Sequence, residues 1–251
     1  MFYAKENGVS DLAVLGGRAH VNGITFATSK YVVRGKLKNA VVTLNVQKLP
    51  ESRLLEAMDR VPFVRGISKL AKLNWNLFLF VVLLLAIPWN WIFLPNYTDA
   101  TVSVWSVIVE YGVVPIVLIF LLKRLWQFHG AEHKAFNVYT SGGQLVPELV
   151  MAADRVSGRC GTNLVVIVIP IYFLLSFILY QFPLLMYLVS MSVGYEIFNW
   201  SSRRNRLKVV FKIAAIIQKY IVTKEPDEEQ ILVAISTLSK AIELDQGRSV
   251  K

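Results

Sequence analysis

LVVIVIPIYFLLSFILY, residues 164–180, decides how the rest of the chain is read. No charged side chain interrupts it. Its seventeen residues approach the roughly 20 apolar residues that carry a helix across a hydrocarbon core of about 30 Å. Residues 77–94, 102–122 and 183–200 have the same character, giving four expected spans in all. Trp89, Trp91, Trp105, Trp126 and Trp200 fall at or near their ends, as interfacial aromatic residues do. The alternative, a buried helical hairpin of a soluble protein, fits poorly with four such runs.

Composition agrees. The chain has 251 residues, 55% of them hydrophobic, and its mean hydropathy is +0.49, too apolar for an ordinary soluble domain. Residues 1–10 are mixed and polar, which argues against a cleavable signal peptide. One cysteine, Cys160, excludes an internal disulfide framework and fits a reducing compartment. The net charge of +10 is one-sided along the chain. Lys69, Lys72, Lys123, Arg124, Arg155 and Arg159, with the Arg203–Lys208 group, flank one set of span ends. The loops at 95–100 and 181–182 hold no Lys or Arg. By the positive-inside rule both termini are cytoplasmic, in a multi-pass protein of the cell (plasma) membrane.

The expected fold is therefore a mainly α membrane protein with about four transmembrane helices. A small β-rich cytoplasmic part precedes them and cytoplasmic amphipathic helices follow. Residues 1–50 form the β-rich segment, because Gly16-Gly17, Asn22-Gly23 and Gly35 punctuate runs such as Tyr31-Val32-Val33 and Val41-Val42-Thr43-Leu44. Residues 51–76, broken near Pro62, read as interfacial amphipathic helices. The membrane domain occupies 77–207, with a cytoplasmic loop-helix at 123–163. Residues 208–251 carry two helices separated by Thr223-Lys224-Glu225-Pro226, the second opened by Asp227-Glu228-Glu229 at its positive end.

Chemistry concentrates in His129-Gly130-Ala131-Glu132-His133, which holds two of the 3 histidines. On a helix, positions i and i+4 stack and i+3 lies on the same side. Two imidazoles then share a face with a carboxylate. That set suits a divalent metal, zinc above all, with the carboxylate placed to activate water. The same H-x-x-E-H order occurs in the inverted-zincin proteases. The alternative is a wet helix end whose polar residues face solvent, since so short a motif also arises without a metal.

An ordered series of motifs resembles the YqhQ-like family of polytopic bacterial membrane proteins, described as predicted metal-dependent enzymes of unknown function. It comprises Gly16-Gly17-Arg18-Ala19, Asn22-Gly23, Pro62-Phe63-Val64-Arg65-Gly66 and Phe128-His129-Gly130-Ala131-Glu132-His133-Lys134. Arg159-Cys160-Gly161-Thr162, Gly194-Tyr195-Glu196 and Thr223-Lys224-Glu225-Pro226-Asp227 complete it. The resemblance implies a membrane protein with a metal-dependent site. It has one departure. Asn22 stands where the family usually has a glutamate, and His20 stands where it usually has an aliphatic residue. On a strand the two positions share a face, so His20 either replaces a missing acidic group or the ligand is absent in this member.

A catalytic metal needs about three protein ligands and an open position. His129 and His133 supply two. The third is Cys160, whose thiolate binds zinc well, or Glu196, an ionisable residue inside an apolar segment. Glu196 has the alternative of a structural hydrogen bond or an ion pair with Arg159 or Lys134. Glu110 is excluded, being 19 residues from His129, about 28 Å along a helix. Glu132 is the expected catalytic base. Arg159, Lys134 and Arg65 are expected to hold an anionic substrate, unless they serve only the positive-inside pattern. No phosphate-binding loop, dinucleotide fingerprint or sequence-specific nucleic-acid module occurs.

Three functions fit these residues. The first is a metal-dependent hydrolase at the cytoplasmic membrane face, acting on a lipid-linked substrate or a membrane peptide. The second is a non-catalytic factor in membrane-protein insertion or assembly, partnered by a translocon or ribosome. The weakest is a small transporter.

Overall fold

The computed structural model describes residues 14–49, 57–58, 60–65, 117, 120–179, 182–204 and 206–247. Two compact units emerge. One takes residues 1–50, 113–160 and 211–251, the other 51–112 and 161–210.

In the first unit, β1 (Val14–His20), β2 (Gly23–Thr28), β3 (Tyr31–Lys38) and β4 (Val41–Lys48) form an antiparallel meander in that order. Its turns follow from the sequence. Asn39 and Ala40 both adopt positive φ, at 50° and 59°, the primed geometry that matches strand twist in a two-residue hairpin. Alternation then sends Ile24, Phe26, Val33 and Leu37 to one face, where they are buried.

Two helices cover that face. One is α1 (Lys123–Thr140); the other, numbered α6 below, spans Glu228–Asp245. Phe128, Ala131, Ala135 and Val138 form the helical-period stripe of α1, and Ile231, Ala234, Leu238 and Ala241 that of α6. The short α2 (Pro147–Ala152) adds Val150 to the same core. Asp227 caps α6, its carboxylate and the Gln230 side chain each bonding the other's backbone N–H.

The close fit of sheet to α6 depends on Gly35. A Cβ there would lie 1.9 Å from the Thr237 hydroxyl oxygen, which itself donates to the Val233 carbonyl at 2.6 Å. Gly35→Ala should therefore destabilise the unit by about 1–3 kcal/mol, the usual range for overpacking. A lowered urea midpoint of the purified protein would check this.

In the second unit, α3 (Gly161–Leu179) packs on α4 (Pro183–Arg204). Gly194 permits the approach, because a Cβ on it would lie 2.5 Å from Val168 Cγ2. Between α4 and α6 the chain forms α5 (Lys208–Ile217) and a π-helical turn at Gln218–Val222.

The expectation of four transmembrane helices is corrected here. Among the described residues one helix, α3, is long and apolar enough to cross a membrane. The stretch 183–200 does lie in a helix, but α4 carries Ser190, Ser192, Glu196, Asn199, Ser201 and Ser202. These recur at nearly every turn from Ser190 onward, and apolar content alone had hidden them. The expected spans at 77–94 and, apart from 117 and 120–122, at 102–122 lie outside the described residues. So do Glu110 and most of 51–76.

A candidate metal centre on helix α1

Residues 130–136 of α1 are buried without a break, because the sheet, α6 and the loop after α2 surround it. The H-x-x-E-H segment is thus an interior feature and not a wet helix end. The i, i+4 spacing brings the His129 and His133 rings to 4.4 Å between centroids.

Each imidazole is aimed by a backbone carbonyl. His129 Nδ1 lies 2.8 Å from the Val222 oxygen and His133 Nδ1 lies 2.6 Å from the Arg155 oxygen. A carbonyl only accepts, so each Nδ1 carries the proton. In the neutral ring each Nε2 then keeps its lone pair. Burial holds both rings in that neutral form. It lowers His129, against the pull of the Val222 carbonyl. It also brings His133 down to about 3, aided by the repulsion a second protonated ring at His129 would exert and opposed by the Arg155 carbonyl.

Cys160 completes the group. Its Sγ lies 3.7 Å from His129 Nε2, and the ligating atoms of His129, His133 and Cys160 all fall within 4.8 Å of one another. This His/His/Cys group can hold a metal ion. Two imidazole nitrogens oriented through their far N–H groups and one buried thiol match the donor chemistry of zinc.

Glu132 lies beside it, with Oε2 3.6 Å from His133 Nε2. Burial pushes its carboxyl up to about 8. Strand β1 closes over it at Gly17, where a Cβ would sit 2.5 Å from Glu132 Oε1 and 2.7 Å from Phe26 Cε1. Only glycine lets the strand pass so near the carboxylate. Gly16-Gly17, expected to punctuate the strands, lies inside β1, and this close approach is the role the structure gives Gly17.

The other expected site residues are placed differently. Glu196 accepts from Arg65 Nε at 2.7 Å and from the Phe63 backbone N–H at 3.0 Å. Glu196 and Arg65 thus form an ion pair within the second unit, outside the His/His/Cys group. Lys134 is buried and commits its ammonium to the Met151 carbonyl and to Glu225, both at 2.6 Å. Arg159 is exposed, its guanidinium 5.7 Å from the Phe136 ring centre.

His20 ends β1, while Asn22 sits in the following turn, so the two do not share a strand face. His20 Nε2 pairs with the Thr25 hydroxyl at 2.8 Å. Its pKa falls to about 4, from burial first and then from Arg34, Arg18 and Lys36. A depressed histidine binds fewer protons folded than unfolded between about pH 4 and 6.5, so its contribution to stability is present above that window and lost on acidification through it. NMR titration should find the His20 ring still neutral near pH 5, and His20→Gln should flatten the stability profile there.

Comparison with known proteins adds the family. The chain belongs to the family described as "Protein of unknown function (DUF1385)", which matches residues 63–244. That range includes His129, Glu132, His133, Cys160, Glu196 and Glu225. The chain is also 24% identical over 135 residues to the "Uncharacterized protein YqhQ" of Bacillus subtilis (strain 168). The match covers 50% of this chain and 42% of that protein. No solved structure matches.

Proposed function

We propose that this protein is a metal-dependent hydrolase in which His129, His133 and Cys160 hold a divalent ion, zinc by donor type. The observation that carries this reading is the paired tautomer beside a thiol: both rings spend Nδ1 on a backbone carbonyl, His129 Nε2 lies 3.7 Å from Cys160 Sγ, and the ligand atoms of the three residues fall within 4.8 Å of one another. Among the described residues the group has three protein ligands, rather than the four of a closed structural site, which would leave a position for substrate or water. When bound, such an ion would supply Lewis acidity. The chain's own contribution is Glu132. Its carboxyl, in the ionised form that burial alone disfavours and an adjacent cation would favour, would take the proton of the attacking water and return it to the leaving group. Lys134 is paired with Glu225 and so does not neutralise it.

A membrane setting rests on α3. Ile169, Phe173, Leu174, Phe177 and Ile178 are exposed on it, an apolar surface suited to lipid. Its first residue, Gly161, follows Cys160 in the chain. This continuity favours a lipid-linked or membrane-proximal substrate met on the cytoplasmic side.

A second reading, a non-catalytic factor in membrane-protein insertion or assembly, has one observation in its favour. Residues 14–48 contain Arg18, Lys30, Arg34, Lys36, Lys38 and Lys48 but no Asp or Glu, a charge pattern suited to a polyanion such as a ribosome. The two readings separate on Glu132→Gln in a complementation assay combined with metal analysis, as argued below.

A further inference from the structure

Both carbonyls that aim the histidines belong to irregular backbone, and a loop carbonyl aims a ring only if the loop is held. The Val222 carbonyl is one of the last of the π-helical turn and so lacks an onward helical partner. The Arg155 carbonyl lies in the loop between α2 and Cys160. The two segments are fastened to each other and to α1 by residues 223–227, the Thr-Lys-Glu-Pro-Asp strap.

Glu225 is the node of this joint. One carboxylate oxygen takes the Lys134 ammonium of α1, and the other takes the Arg155 guanidinium. Arg155 Nη2 also reaches the Lys219 carbonyl at 3.2 Å. Next to it the Ser157 N–H donates to the buried Gln218 side chain at 2.9 Å, three residues before Cys160. The Lys224 N–H donates to the Trp126 carbonyl at 2.9 Å. The strap lies so close to α1 that a Cβ on Gly130 would be 2.2 Å from the Lys224 oxygen.

We infer that Glu225 is a positioning residue for the metal centre, acting through Arg155 and the strap to set the two carbonyls that orient His129 and His133. The inference rests on the metal reading above. Glu225 touches neither ring. It joins the segment that orients one histidine to the segment that orients the other, and it compensates the buried Lys134 charge beside them. Partners of this kind change metal affinity by about 10–100-fold when removed.

The test uses full-length, detergent-purified protein. Zinc affinity is measured by competition with a chromophoric chelator, and ligand geometry by the visible absorption of the cobalt(II)-substituted protein. Glu225→Gln should weaken zinc about 10–100-fold and shift the cobalt bands. Because it also strands the Lys134 charge, the double variant Lys134→Met, Glu225→Gln is needed. It removes charge and partner together, and should regain thermal stability while keeping the weak affinity and the altered spectrum. Wild-type affinity and spectrum in both variants would overturn the inference and leave the metal reading standing. Recovery of affinity in the double variant would overturn it too, by assigning the effect to the Lys134 charge. A wild-type protein that binds no zinc would remove both.

Discussion

Replacing His129 and His133 together by alanine should leave the purified protein without bound metal, where wild type carries close to one equivalent. The geometry makes this the largest expected change in metal content. Only Cys160 would remain of the three ligands that converge, and a single thiol does not retain a divalent ion against dilution. The folded unit should survive. The core that joins the sheet to α1 and α6 is built from Phe26, Phe128, Ala131, Phe136 and Leu238, none of which is altered. The main structural cost falls on the carbonyls of Val222 and Arg155, which lose their ring donors, at about 1–3 kcal/mol for each that stays buried. Elemental analysis with circular dichroism gives both readouts. Full metal content in the double variant would sink the centre proposed here.

How much of this was legible in the sequence depends on range. Local patterns carried well. The β-rich runs at 31–33 and 41–44 do fall in β3 and β4, and Asn22-Gly23 does mark a turn, although Gly16-Gly17 and Gly35 lie within strands; the i, i+4 spacing of the histidines is enough to put their rings together. Cys160 was legible by chemistry, as the chain's one thiol. Contacts between distant segments were not. Nothing near Glu196 in the chain announces Arg65, which is 131 residues away. Nothing near Glu132 announces Gly17 on β1. The strap was visible as a motif at 223–227, but its role appears only once α1 and the loop after α2 are packed against it. The span count failed for a related reason. Counting apolar residues treats a helix as a composition, whereas α4 places serine, glutamate and asparagine along its length. The buried H-x-x-E-H segment bears on an alternative the residues alone left open: polar side chains fit solvent as well as a metal until a sheet and a second helix enclose them.

Glu132→Gln should abolish function while leaving the metal in place. Glutamine keeps the shape of the side chain in a space bounded by Gly17, Phe26 and His133, so packing changes little. It also removes a carboxylate whose burial, with no ammonium or guanidinium partner among the described residues, disfavours its charged form. The metal-free variant should therefore be at least as stable as wild type. What is lost is the base. For a reaction that relies on Glu132 to accept a proton, the expected cost is about 10²–10⁴-fold in rate. Cells that depend on the protein should not be rescued, although the variant accumulates normally and carries its metal. A structural role predicts otherwise. If Glu132 served only to hold His133, the amide could still meet the imidazole, and complementation would be full. Full rescue with full metal content would thus count against hydrolysis and favour the assembly factor, whose acid-free sheet would then be the surface to probe. Failure of rescue with metal retained separates base from ligand, because a direct ligand to the ion would lose metal along with activity.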